Sequence, residues 1–482
     1  MPAPPSGTEL SILDQASSRR YTRLLYCYSL PESISYENTE FLVERFSYAT
    51  GQILAKWPFL TCRIRLCDPR HSAGRVKLFN LQSQRSCAYN EHNQFCTDGV
   101  LSVKRISDWH PKVPNYRDLA KQGMSPDTIR SSDYCRPLPN LKDDYAVVYH
   151  ISLNFIRGGL VLCVCYMNSV LDNAANSFIF EQFARGLTRP RSRNPGQDAS
   201  VRTTRDHIRY INRLGARGSC LIDQFLSKRC PEFDPPRPVL LAHPLPTDGI
   251  HASYSPSDSV VGKVFKFPVS GLKKLRREIA QVTGEPAIGS QHPGMILKAW
   301  LWVLMLQARF PRGILDTQKS SLAFTVDVRG GLDIALNEHV RNATLYGYAT
   351  LPYLGPLRLG TPFDRCFTIA DAFRSLRSAA QSLNLHGITT RLGYLEYISN
   401  NPGSLKYNLN CSSGSDVIID SFDWSGGNPD LGVFQLSKFS AEGLTESSID
   451  LGQARMPDMS QAHIQWRFDT NSSVLVVFSQ CP

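Results

Sequence analysis

The stretch VLCVCYMNSVLDNAANSFIFEQF, residues 161–183, constrains the fold more than any other part of the chain. An apolar run leads into a short polar turn, after which apolar residues recur at helical spacing. That order reads as a buried strand, a sharp turn and an amphipathic helix. The overlapping segment YAVVYHISLNFIRGGLVLCVCYM reads as two strands joined at Arg157, Gly158 and Gly159. Met167, Asn168 and Asn173 lie on the turn side of this platform, so its chemistry depends on what two amides and a thioether can do.

The flanking segments supply more helix and strand. From Glu37 to Trp57, Leu42, Phe46, Ala49, Ile53 and Trp57 fall at helical spacing and Pro58 ends the run. LTCRIRL and GRVKLF alternate as strands. Between residues 189 and 258 the pattern dissolves into Pro, Arg, Ser and Asp, leaving SCLIDQFLSKRC as the candidate helix of a crossover linker. The second half opens with VVGKVFKF as a strand. A helix follows from Ser270, a suitable N-cap, through Leu272, Leu275, Ile279 and Val282 to Gly284. A buried helix over Met295 to Arg309, a strand in SLAFTVDVRGGL, a helix in IADAFRSLRSAAQSL and strands in DVIIDSF, LGVFQLSKF and SSVLVVFSQ complete it. The expectation is α/β: an N-terminal lobe over 1–188, a crossover linker over 189–258 and a C-terminal lobe over 259–482.

Composition excludes several classes. With 482 residues, 42% hydrophobic and 20% charged, the chain can bury a large core. Its longest apolar candidate, MILKAWLWVLMLQA, is interrupted by Lys298 and falls short of the ~20 residues a membrane span needs. MPAPPSGTEL lacks the charged and apolar regions of a signal peptide, so the expected location is cytoplasmic. The thirteen cysteines form no CxxC pair, and Cys163 and Cys165 alternate along an apolar strand as buried thiols do. They are expected to be reduced and structural, with no metal. The net charge of +11 is diffuse apart from RGLTRPRSRNPGQDASVRTTRDHIRYINR, and no aromatics interleave it as a nucleic-acid module requires. Such a field suits an anionic small ligand, for instance a nucleotide-bearing thioester. No internal repeat of a solenoid or propeller is present.

Several blocks in order carry a family likeness: LSILDQ at Leu10 to Gln15, WPFLTCR at Trp57 to Arg63, NFIRGGLVL, FTVDVRGGL, VRNATLYG and the closing strands. Together they resemble the fungal BAHD-type acyltransferases, in particular the trichothecene 3-O-acetyltransferase branch, over nearly the whole chain. The resemblance implies two similar chloramphenicol-acetyltransferase-like lobes with a channel at their interface. Acyl-CoA enters as co-substrate from one side and a small natural-product acceptor from the other. It implies a monomer with no bound cofactor. In the family an H-H-x-x-x-D-G motif sits on the turn after the strand, and its second His takes the proton of the attacking hydroxyl or amine.

Here that motif falls on MNSVLDN. Met167 stands at the first His, Asn168 at the catalytic His, Asp172 at the Asp and Asn173 at the Gly. The family's Asp pairs with the Arg of a D-x-R motif, which implies an Asp172–Arg329 ion pair. The family's D-F-G-W-G-K-P loop aligns with DWSGGNP, so that Asp423, Trp424 and Gly427 mark it.

A carboxamide takes up no proton near neutral pH, so Asn168 cannot act as the base; it can still donate its NH₂ toward a developing oxyanion. Three outcomes stay open. His292 or His150 supplies the base; or the chamber serves a cyclisation, condensation or pericyclic step that needs orientation more than proton transfer; or the protein binds a small molecule without catalysis. Met167 makes the position apolar, suited to an apolar substrate or to plain packing.

Overall fold

A computed structural model describes residues 10–17, 19–32, 34, 36–67, 75–79, 99–105, 114–122, 131–135, 138–139, 141, 145–188, 199–219, 230, 232–233, 269–284, 293–309, 319–332, 334, 339–351, 362–398, 417–419, 433–440, 443–450, 463–467 and 475–479. In chain order its strands are β1 (Tyr21–Ser29), β2 (Arg63–Leu66), β3 (Val76–Phe79), β4 (Leu101–Arg105), β5 (Ala146–Val147), β6 (Tyr149–Ile156), β7 (Gly159–Met167), β8 (Ser320–Asp327), β9 (Thr344–Leu351), β10 (Val417–Ile419), β11 (Val433–Ser440), β12 (Gly443–Asp450), β13 (His463–Arg467) and β14 (Leu475–Ser479).

The platform is the antiparallel pair β6–β7. Ile156 faces Gly159 across a two-residue turn at Arg157 and Gly158, and Gly158 takes φ +71°, a conformation open to glycine. β1 extends the sheet antiparallel to β7, and β4 lies parallel to β6 on the other side. Every residue of β6 and β7 is buried, because both faces of the sheet are covered. On one face Leu160, Leu162 and Val164 join a core with Leu42, Phe46 and Ile53 of the Tyr36–Lys56 helix and Ile179, Phe180 and Phe183 of the Asn173–Thr188 helix. Tyr26 of β1 stacks on Phe180 at 4.7 Å between ring centroids. On the other face, Val161 packs with Tyr116 and Leu119 of the short helix Tyr116–Lys121, and Cys163 and Cys165 with Cys135.

In the second half a sheet is again packed with helices. The sheet β10–β8–β9 shares a core with the helices Val269–Thr283, Pro293–Arg309 and Pro362–Gln381, through Leu272, Trp302, Leu322, Phe324 and Phe373 among others. The first of these starts one residue before Ser270 and ends at Thr283, followed by Gly284, whose φ is +67°. A third cluster gathers Leu13, Ile211, Leu332, Leu345 and Leu392, from segments distant in sequence.

The structure departs from the sequence expectation at residues 189–258. Ala199–Ser219 is a 21-residue helix, where only SCLIDQFLSKRC was expected to be helical. Its buried residues Ile208, Ile211 and Leu214 form a narrow stripe hidden among arginines, and the stripe packs on the Leu385–Ile398 helix. Gly218 and Gly393 let these helices touch: a Cβ on Gly393 would lie 2.2 Å from the Gly218 carbonyl carbon. Residues 220–229 and the expected strand VVGKVFKF lie outside the described residues. Among the described residues no helix is long and apolar enough to cross a membrane.

Candidate functional site

The turn after β7 is built by backbone hydrogen bonds before any side chain acts. Met167 N donates to Val148 O at 2.9 Å, and Asn168 N to Arg20 O at 3.0 Å. Val170 N and Leu171 N both return to Met167 O at 3.0 Å, which folds 167–171 into a tight curl. The helix then starts under Asp172, whose Oδ1 accepts from Ala175 N at 2.8 Å as an N-cap.

Asp172 has further partners. Arg329 Nη2 donates to its Oδ1 at 2.9 Å, Ala343 N to its Oδ2 at 2.7 Å, and Thr344 Oγ1 to the same oxygen at 3.1 Å. Burial pushes this carboxyl up, but Arg329 and the N–H donors outweigh it and leave it below its ordinary value. Arg329, only 1% exposed, also bonds Asp327 Oδ1 at 2.9 Å, His339 O at 3.1 Å and the Arg341 carbonyl. Asp172 and Arg329 thus join the strand–turn–helix unit to β8 and to the segment preceding β9.

The two amides each have a partner. Asn168 is half-buried; its Oδ1 accepts from Thr22 Oγ1 at 2.6 Å, and its carbonyl accepts from Asn342 Nδ2 at 3.0 Å. Asn173 Oδ1 takes the hydroxyl of the buried Tyr166. With its oxygen engaged, Asn168 offers an N–H donor and no titratable atom. Met167 is 1% exposed and belongs to the core around β7.

His150 lies on β6. It faces Cys165 across the β6–β7 pair, fully buried, with Nδ1 3.1 Å from Gly99 O and Nε2 3.0 Å from Ser102 Oγ. The Gly99 carbonyl requires a proton on Nδ1, so in the neutral ring Nε2 accepts from Ser102. His292, Asp423, Trp424 and Gly427 lie outside the described residues.

Around the turn is a layer of buried polar groups whose roles the sequence did not reveal. LSILDQ is a structural clasp: Ser11 and Asp14 form a reciprocal capping box, and Gln15 exchanges two hydrogen bonds with the Val76 backbone, at 2.7 and 3.0 Å. Burial raises the Asp14 carboxyl to about 7 against the opposing pull of Arg341. His339, with neither ring nitrogen hydrogen-bonded, is pushed down to about 3 by burial and then by Arg329 and His207. The importance of Thr22 and Asn342 lies in what they touch. Asn342 sits within the VRNATLYG block, while Thr22 has no local signal.

No family model matches the chain. The enoyl-CoA isomerase/hydratase claC of Penicillium crustosum is 23% identical over 433 residues, which is 87% of this chain; the chain spans 43% of that protein's length. The structure of F. sporotrichioides TRI101 complexed with coenzyme A and T-2 is similar with a TM-score of 0.60 at 16% identity, covering 95% of this chain and 91% of that one. F. graminearum TRI101 complexed with coenzyme A and deoxynivalenol gives a TM-score of 0.60 at 14% identity, covering 98% and 95%. At these identities the likeness is one of fold, and the chain has the mixed α/β acyltransferase fold of those structures.

Proposed function

We propose that this chain is a soluble, cytoplasmic, monomeric enzyme of fungal secondary metabolism that moves an acyl group from acyl-CoA to a hydroxyl or amine of a small molecule. The carrying observation is the turn itself: Asp172 and Arg329 hold it, and Thr22 clamps the Asn168 oxygen so that the amide presents N–H. In this mechanism the acceptor and the thioester meet in a channel between two lobes, and Asn168 donates toward the thioester oxygen as negative charge develops there. The nucleophile loses its proton elsewhere, to His292 or, for an amine, after attack. The coenzyme A bound in both TRI101 structures supports a thioester donor.

A second reading rests on the same amide. With no proton acceptor at Asn168, the chamber suits a cyclisation, condensation or pericyclic closure of one precursor, where holding a reactive conformer can supply on the order of 7 kcal/mol. Titration of the full chain with coenzyme A separates the two. Binding in the micromolar range, with acceptor-dependent thiol release from acetyl-CoA, is expected for acyl transfer. No coenzyme A binding would sink it and leave the single-precursor chamber.

A further inference from the structure

The sheet face turned away from the two long helices carries an arrangement that neither reaction uses. β1, β7 and β6 set Arg23, Cys165 and His150 in one row, and Leu25, Cys163 and Ser152 in the next. Cys163 and Cys165, two residues apart on a strand, point to the same side. The bend after the Ser131–Tyr134 helix brings Cys135 onto them. Cys135 Sγ lies 2.9 Å from Cys163 Sγ, which lies 3.4 Å from Cys165 Sγ, and all three sulfurs fall within 4.8 Å of one another.

Three thiols converging in a buried site form a weak hydrogen-bonding set and a strong soft-ligand set. Cys163 and Cys165 are fully buried, and Cys135, at 7% exposure, is the edge through which a small ion would enter. Arg23, opposite Cys165, has its Nε buried without a hydrogen-bond partner, a positive group suited to balancing thiolate charge.

Among the described residues the group with this spacing consists of these three cysteines, and the His150 ring is held by Gly99 and Ser102. Structural zinc sites are almost always four-coordinate, whereas copper(I) is satisfied by three thiolates. We propose that Cys135, Cys163 and Cys165 form a three-thiolate site for a soft monovalent d¹⁰ cation, copper(I). Binding is a ligand exchange without redox change: three Cu–S bonds form, and the thiol protons leave to solvent.

The test is anaerobic titration of the reduced full chain with copper(I) against a chromogenic copper(I) chelator. One equivalent should be retained per chain, and Cys163→Ser and Cys135→Ser should each weaken retention at least about tenfold. Cys366→Ser, at a half-buried thiol outside the cluster, should leave it unchanged. Copper(I) should also raise the melting temperature of the parent but not of Cys135→Ser, the edge variant chosen to preserve the core. A parent that retains no copper, or retention in Cys135→Ser and Cys163→Ser equal to the parent's, overturns the site.

Discussion

Thr22 Oγ1 donates to the carboxamide oxygen of Asn168 at 2.6 Å, joining the start of β1 to the turn that ends β7. Beside it, the Tyr166 hydroxyl donates to Asn173. Both amides of the turn therefore accept from a neighbouring hydroxyl. Asn168 cannot regain a base by rotating, since either orientation of an amide lacks a proton acceptor at neutral pH.

If the Asn168 N–H stabilises developing charge, Asn168→Ala should lower kcat of acyl transfer by ~10²-fold or more with KM nearly constant. Thr22→Val should lower kcat less, by misaligning the same amide. Asn168→His should introduce an inflection near pH 6.5 into the pH–rate profile. Unchanged kcat in both Asn168→Ala and Thr22→Val would remove Asn168 from the mechanism.

Asp172→Ala removes one of the two carboxylates paired with the buried Arg329, together with the acceptor of the Ala175 and Ala343 N–H groups, and should cost about 3 kcal/mol, read as a lower denaturant midpoint. Because the folded carboxyl titrates below its ordinary 3.8, its contribution is present above that pH and is lost as pH falls further. Asp172→Ala should thus differ most from the parent at neutral pH and converge with it in strong acid. A variant as stable as the parent at pH 7 contradicts this.

Asp14 and His339 should give opposite pH slopes. The Asp14 contribution is present below its ordinary 3.8 and lost as pH rises through about 7; that of His339 is present above 6.5 and lost as pH falls through about 3. Between about pH 4 and 6.5 the two proton counts cancel in the parent. Relative to the parent, Asp14→Asn should gain stability with rising pH and His339→Gln should lose it, each by about 1.4 kcal/mol per unit. Denaturant midpoints from pH 4 to 7 check this, and parallel curves for parent and variants would refute it.

Gly393→Ala should separate the helices Ala199–Ser219 and Leu385–Ile398, since the new methyl would meet the Gly218 backbone at 2.2 Å. Overpacking of about 1–3 kcal/mol should outweigh the ~1 kcal/mol gained in helix propensity, because a backbone neighbour cannot rotate aside. Thermal unfolding measures the sign, and a more stable variant would mean the helices yield easily.

Periodicity sufficed for the sequence to determine the β6–β7 pair, the Tyr36–Lys56 helix and the strand–turn–helix unit ending in Asn173–Thr188, since alternation and helical spacing are local properties. It also determined that Asn168 is no base, a matter of functional groups alone. It could not reveal the Ala199–Ser219 helix, whose apolar stripe is masked by arginines and gains its meaning from the Leu385–Ile398 helix. Nor could it join Thr22 to Asn168, 146 residues on, or bring Cys135 to Cys163. Those partnerships depend on which chain segments the packed sheets bring within 3 Å, and side-chain chemistry becomes specific only at that range.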